Sequence, residues 1–308
     1  VIQNELPYND YGRALRLKFG SRVQKISINT GAGCPNRDGS RGKGGCTYCN
    51  VQSFSPDYCK PLKTVSQQLQ EGIDFFRQKY PGQKYLAYFQ TYSNTYAELE
   101  TLRLWYTQAA THPDVVGVVI ATRPDCLPDE VLQLLKDVAR QTVVSLELGV
   151  ESTCDTTLQH VNRCHTWAET VNAIQRAAAV DIRPGAHLIL GLPDEFPDMW
   201  HNHALQLNAL PVSMVKIHHL QIIKHTQMAR EYDEFPERFP LPGLEDYILS
   251  VANFVRYLRP DITIARFSGQ SPANLLIAPQ WGGVRSDQIA QRIQKLMRQN
   301  NWKQGDLI

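Results

Sequence analysis

The stretch Cys34-Pro-Asn-Arg-Asp-Gly-Ser-Arg-Gly-Lys-Gly-Gly-Cys46-Thr-Tyr-Cys49 sets three thiols in a glycine-rich, basic loop with the spacing C-x11-C-x2-C. Three thiolates are one short of a closed structural metal site. An iron–sulfur cube takes thiolates on its irons, so three cysteines leave one iron open to a further ligand. A four-thiolate zinc site completed by Cys59 is the competing reading, although such sites bring two close pairs and here only Cys46 and Cys49 form one.

Outward from the loop the chain alternates. Residues 5–20 read as a loop and a short basic helix ended by Gly20, and Lys25-Ile-Ser-Ile-Asn29 alternates as a first strand. The thiols therefore follow the C-terminal end of a strand, where α/β folds place their sites. Val65, Leu69, Ile73 and Phe76 recur at helical spacing, and Tyr85–Gln90 is a second strand. Leu99 to Ala109 lines a helix, Val115–Ala121 is a buried strand, Pro128 opens a helix, and Val143–Leu148 is the fourth strand with Glu147 at its end. A helix over Trp167–Ala179, a strand His187–Gly191, a helix over Met199–Leu210 and a strand Met214–Leu220 complete six βα-type units. This pitch predicts a parallel sheet with helices outside it, an α/β fold built as a partial (β/α)6 barrel over residues 1–220. Residues 221–308 form a C-terminal extension with a proline-punctuated loop, a helix over 244–258, a further strand at 262–266 and a last amphipathic helix carrying Ile289, Ile293 and Met297. That helix caps the barrel or docks a partner.

At 308 residues the chain holds ample core for one large domain or two small ones, and no apolar run approaches the ~20 residues of a membrane span. Seven cysteines without framework spacing, and no signal-like start, point to reduced thiols and the cytoplasm. The net charge of +2 hides an asymmetry, since residues 1–63 carry ten Lys/Arg against four Asp/Glu. A basic apron around the cysteine loop suits an anionic partner such as RNA, or is simply a solvated face.

Five motifs in order at strand ends carry a resemblance: the three cysteines, Tyr88-Phe-Gln-Thr-Tyr-Ser-Asn-Thr95, Ala121-Thr-Arg-Pro-Asp-Cys126, Glu147-Leu-Gly-Val-Glu-Ser152 and His187-Leu-Ile-Leu-Gly-Leu-Pro-Asp-Glu195. Over nearly its whole length the chain resembles the radical S-adenosylmethionine (SAM) enzymes, and within them the branch of the Elongator catalytic subunit and the small bacterial YhcC/YtqA-type proteins. The resemblance implies a [4Fe–4S] cluster on Cys34, Cys46 and Cys49, whose open iron takes SAM, and reductive cleavage of SAM to a 5′-deoxyadenosyl radical. It places Tyr48 beside the adenine, Gln90, Thr91 and Ser93 near the SAM ammonium and carboxylate, and Glu147 near the ribose or methionine moiety. His187 stands at a position where the family often has glycine, Gly191 lets the backbone approach the adenosine, and Asp194 or Glu195 takes an acidic place.

Other residues carry two readings. Cys126 is a buried thiol in a turn or a hydrogen donor in radical chemistry, and Glu147 and Glu151 are site acids or strand-end acids paired with Arg123 or Arg163. Lys216 and His218 point the same way on strand six, so one of them faces the cavity. The resemblance further implies tRNA as substrate, at a wobble uridine, with an electron donor such as flavodoxin or ferredoxin. A radical SAM enzyme for a small molecule or a protein side chain, and a zinc- or cluster-stabilised RNA-binding adaptor, are the rivals. In 308 residues neither the acetyltransferase domain of the Elongator-type enzymes nor the extra cluster domain of methylthiolating relatives is expected.

Overall fold

Strands and helices alternate as the periodicity predicts, and the computed structural model, which describes residues 6–50, 56 and 58–308, shows how they close on themselves. Helix α1 (Tyr11–Phe19) starts at an Asp10 side chain that accepts from the Arg13 amide and stops at Gly20, whose φ of 72° suits glycine. It leads into β1 (Val23–Ile28), and α2 (Val65–Lys79) follows the cysteine loop. A reciprocal cap between Thr64 and Gln67 fixes the start of α2, a device typically worth ~1 kcal/mol. Then come β2 (Lys84–Phe89), α3 (Leu99–Ala110), β3 (Val115–Thr122), α4 (Asp129–Ala139), β4 (Val143–Glu151), α5 (Asp155–His160), α6 (Trp167–Ala179), β5 (Gly185–Leu190), α7 (Trp200–Asn208) and β6 (Met214–His219). The short α5 was not anticipated from the sequence, because six residues are too few to show a helical period.

The extension holds β7 (Ile222–Ile223), α8 (Gln227–Glu234), α9 (Leu244–Arg256), β8 (Thr263–Arg266), β9 (Leu276–Ala278) and α10 (Ser286–Gln299). Its strand β8 pairs in parallel with β6, giving a curled seven-stranded sheet in the order β1-β2-β3-β4-β5-β6-β8. The sheet thus carries one strand more than the six units of the sequence reading, and the seventh comes from beyond residue 221. β7 and β9 form a separate antiparallel pair.

Within the seven-stranded sheet all six pairings are parallel, and helices pack on its outer face. The main core lies between sheet and helices: Leu69 and Ile73 of α2, Leu102 and Tyr106 of α3, and Leu134 and Leu135 of α4 are buried. Each such side chain contributes ~1.5–3 kcal/mol by leaving water. α10 buries Ile289, Ile293 and Met297 in this same outer layer and pairs Arg292 with Glu245 of α9, so it flanks α9 rather than capping the barrel. The two edges of the sheet are bridged at α1. Asp10 pairs with Ile264 of β8 while α1 contacts both β8 and β1, filling the seam of the half-barrel.

Candidate active site

Residues at the C-terminal ends of the strands and on their inward faces line one cavity of about 300 Å3. Its rim is the cysteine loop, with Cys34, Cys46 and Cys49 all on the wall. The segment after α5 clamps this loop. The Asn162 amide donates to the carbonyls of Lys43 and Gly45 at 3.1 and 2.8 Å, Asn36 donates to the Asn162 carbonyl, and the Thr47 amide donates to Val161. Arg163 and Asn36 each place a donor nitrogen 3.5 Å from Cys46 Sγ. Arg163 also pairs with Glu151 at 3.2 Å, donates to the Gly149 carbonyl at 2.6 Å and donates to His165 Nε2 at 3.0 Å. Burial, followed by Arg163, pushes His165 down to about 3, so it stays neutral and accepts.

Two glycines make this geometry possible. Gly45 has φ 82° and packs against Arg37, which itself lies beside the Cys49 thiol. At Gly149 a Cβ would sit 2.5 Å from Arg163 Nη2, so any larger residue displaces the guanidinium beneath Cys46.

The floor is built one residue per strand. Glu147 of β4 is fully buried and receives Lys25 of β1, His187 of β5 at 2.6 Å and Lys216 of β6 at 3.1 Å. Sheet register sets His187 opposite Lys216 and Lys216 opposite Arg266 of β8, forming a continuous row. Lys216 also donates to Tyr88 Oη of β2 at 2.8 Å. Burial pushes the Glu147 carboxyl up, but Lys216, Lys25 and His187 outweigh it and hold it well below the carboxylate range. The ammoniums share that single charge unequally. Burial opposes both, yet Glu147 raises Lys25, whereas Lys216 falls to about 7 because Lys25 and Arg266 face it as well. Burial and then Lys216 push His187 down to about 4, and burial and then Arg266 push His218 well below its usual value, so both imidazoles are neutral.

Of the residues singled out from sequence, Tyr48, Gln90, Ser93, Glu147 and His187 reach this cavity together with the three cysteines. The Tyr48 hydroxyl is buried without a hydrogen-bond partner, and Gln90 accepts from Ser27 at 3.0 Å. Thr91 is buried and does not line the cavity, and Gly191 serves the turn after β5 with φ 89°. Glu147 does not end its strand. β4 runs on to Glu151, so Glu147 points into the barrel, and its partners are Lys25, Lys216 and His187 rather than Arg123 or Arg163.

Cys126 sits in a short turn at Pro124–Cys126, outside this cavity and on the wall of a second one, and burial raises its thiol to about 12. Arg123 there forks onto Asp125 with two 2.9 Å bonds. Glu195 is buried between Ser152 and His203. Cys59 is buried and does not line this cavity, unlike the three loop cysteines. Among the described residues no three His, Cys, Asp or Glu side chains converge where one ion would be held. A cube differs in this respect, because each thiolate binds a different iron. The donor set fits such a cluster: three thiols on one wall, guanidinium and amide donors beside Cys46, and an orphan hydroxyl at Tyr48.

Sequence reasoning missed Arg266 and Tyr88 as cavity residues and Lys25 as the partner of Glu147, and named Arg163 only as an ion-pair partner. Lys25 carried a faint signal, being a charge at an inward position of an otherwise apolar alternation. The basic apron is partly consumed: Lys25 turns inward, Arg41 pairs with Asp125 and Glu169, and Lys63 pairs with Glu71. Arg13, Arg16 and Lys18 of α1, with Lys43 and Lys60, stay exposed without an ion pair among the described residues. No helix among those residues is long and apolar enough to cross a membrane.

Known sequences and structures agree with this architecture. The profile described as "Radical SAM superfamily" matches residues 28–207, and that described as "Radical_SAM C-terminal domain" matches residues 212–299. Protein YhcC of Escherichia coli K12 is 36% identical over 274 residues, covering 89% of this chain and 87% of YhcC. A tRNA uridine(34) acetyltransferase of Methanocaldococcus jannaschii is 24% identical over 193 residues, 61% of this chain but 34% of that protein. Among solved structures, archaeal Elp3 of Methanocaldococcus infernus lacking residues 1–46 superposes with a TM-score of 0.67 at 16% identity. That match covers 92% of this chain and 64% of Elp3, a likeness of fold.

Proposed function

Since the chain belongs to the radical SAM superfamily, whose members use a [4Fe–4S] cluster and SAM, we propose that Cys34, Cys46 and Cys49 hold the cluster at the barrel mouth and that a substrate C–H bond lies in the lumen beneath. When bound, the two cofactors supply one-electron cleavage of SAM and a radical that removes hydrogen from carbon. The chain's own residues position and shield. Arg163 and Asn36 offset negative charge at Cys46, while Tyr48, Gln90, Ser93 and His187 line the space between rim and floor. Glu147, with three of its roughly four acceptor positions filled, fixes the two lysines. The carrying observation is that three thiols from one loop and inward residues from β2, β4, β5, β6 and β8 meet around one cavity. Anaerobic reconstitution followed by reduction tests it: SAM should perturb the cluster's EPR signal and 5′-deoxyadenosine should appear. A protein that binds zinc and yields no 5′-deoxyadenosine overturns it.

For the substrate we favour tRNA, modified at a wobble uridine, with a flavodoxin- or ferredoxin-type protein supplying the electron. The named activity of the archaeal relatives supports this reading, as do the exposed cations of α1 and of the cysteine loop. Binding of tRNA should weaken linearly in log salt, with a slope of about −0.7 to −0.9 per phosphate contacted. A salt-independent or absent interaction removes tRNA. The small-molecule reading has its own support in the surplus of cations on the cavity floor.

A further inference from the structure

The floor holds Lys25, Lys216 and Arg266 against a single carboxylate, Glu147. Both oxygens of Glu147 are occupied, Oε1 by Lys25 and Oε2 by His187 and Lys216. Nothing acidic is left for Arg266. Its Nη2 rests 2.7 Å from His218 Nδ1, and its Nε is buried without a hydrogen-bond partner. Glu147 attracts it from beyond ion-pair distance, Lys216 and Lys25 repel it, and its remaining neighbours are Tyr88, Tyr247 and the backbone at Gly269, whose Cβ position lies 3.9 Å from Arg266 Nη2. A half-buried guanidinium without an acidic partner favours an anion joining it, and its flat fork matches an oxyanion with two oxygens.

We propose that Arg266 and Lys216 form a subsite for the carboxylate or phosphate of a small substrate or co-substrate that enters the barrel lumen. The row His187, Lys216, Arg266 lies on adjacent strands in register, so one oxyanion can contact the last two while His187 stays with Glu147. Lys216 lies 9% exposed on the cavity wall. The inference deepens the small-molecule reading above and is independent of whether tRNA also binds. The carboxylate of SAM itself is the other source of an oxyanion here, and the test separates the two.

Calorimetric titration of the anaerobically reconstituted protein at fixed ionic strength uses inorganic phosphate, succinate and SAM as probes. The expected result is saturable binding of phosphate or succinate in the presence of saturating SAM, weakened at least about tenfold in Arg266→Gln, with SAM affinity changed by less than about threefold. If Arg266→Gln loses SAM instead, or if SAM competes with both probes, the guanidinium belongs to the cofactor and the proposal fails. Absence of probe binding to the wild type also overturns it. Should Arg266→Gln not fold, Arg266→Lys keeps the charge without the fork, and the same affinity ratios decide. Loss of tRNA binding in an unaltered probe titration would refute the tRNA reading alone.

Discussion

The rim and the floor of the cavity are built in opposite ways. The rim is sixteen consecutive residues, Cys34 to Cys49, folded over glycines and pinned by Asn36, Asn162 and Arg163. The floor takes one side chain from each of several strands, with Lys25, His187 and Lys216 held by a single buried carboxylate and Arg266 beside them in register. A contiguous loop can change residue by residue with the barrel intact. A buried ion hub is shared by four strands, so losing one member leaves the others uncompensated in low dielectric.

That contrast can be broken at the rim first. Cys46→Ala should abolish cluster binding and SAM cleavage while far-UV circular dichroism and the unfolding midpoint stay close to wild type; retained cleavage would end the assignment. At the floor, Glu147→Gln strands two ammoniums and should cost ~3–5 kcal/mol in denaturant unfolding. Combining it with Lys216→Met should restore part of that loss, and strict additivity would mean the two do not interact.

The Lys216 ammonium gives the hub a pH signature. Its folded pKa, about 7, lies below the unfolded value of 10.5, so the unfolded chain binds the extra proton between those limits. Stability referable to this residue therefore rises with pH across that window, by at most ~1.4 kcal/mol per unit, and is lowest below pH 7 where the buried group must be charged. Lys216→Met should flatten the rise; an unchanged slope would place the charge elsewhere. The smallest effect joins the two regions. Gly149→Ala crowds Arg163 from below and should cost ~1–3 kcal/mol together with part of the iron content after reconstitution, whereas full iron loading would show that Arg163 does not steady Cys46.

The same contrast decides what could be read before folding. Local signals exposed the cysteine loop, the parallel alternation and most of the helices, because apolar periods act over a few residues. Tyr48, Gln90 and Glu147 were legible through motifs adjoining strand ends. Lys25, Tyr88 and Arg266 were not, since nothing local says that a lysine at one edge of a sheet will face a glutamate three strands away. That β8 would join the sheet was equally hidden: only four residues long, it is recognisable by its partner β6 rather than by its own pattern. Cys126 shows a further limit: a reactive residue type in a conspicuous motif, which the fold buries in the turn at Pro124–Cys126.

The seam at α1 has a temporal consequence. Asp10 meets Ile264 across more than two hundred intervening residues, and contacts of such separation form late because chain closure must precede them. On a translating ribosome, the side of the barrel between β1 and β8 therefore stays open until β8 has emerged, long after the loop bearing Cys34, Cys46 and Cys49 has been made.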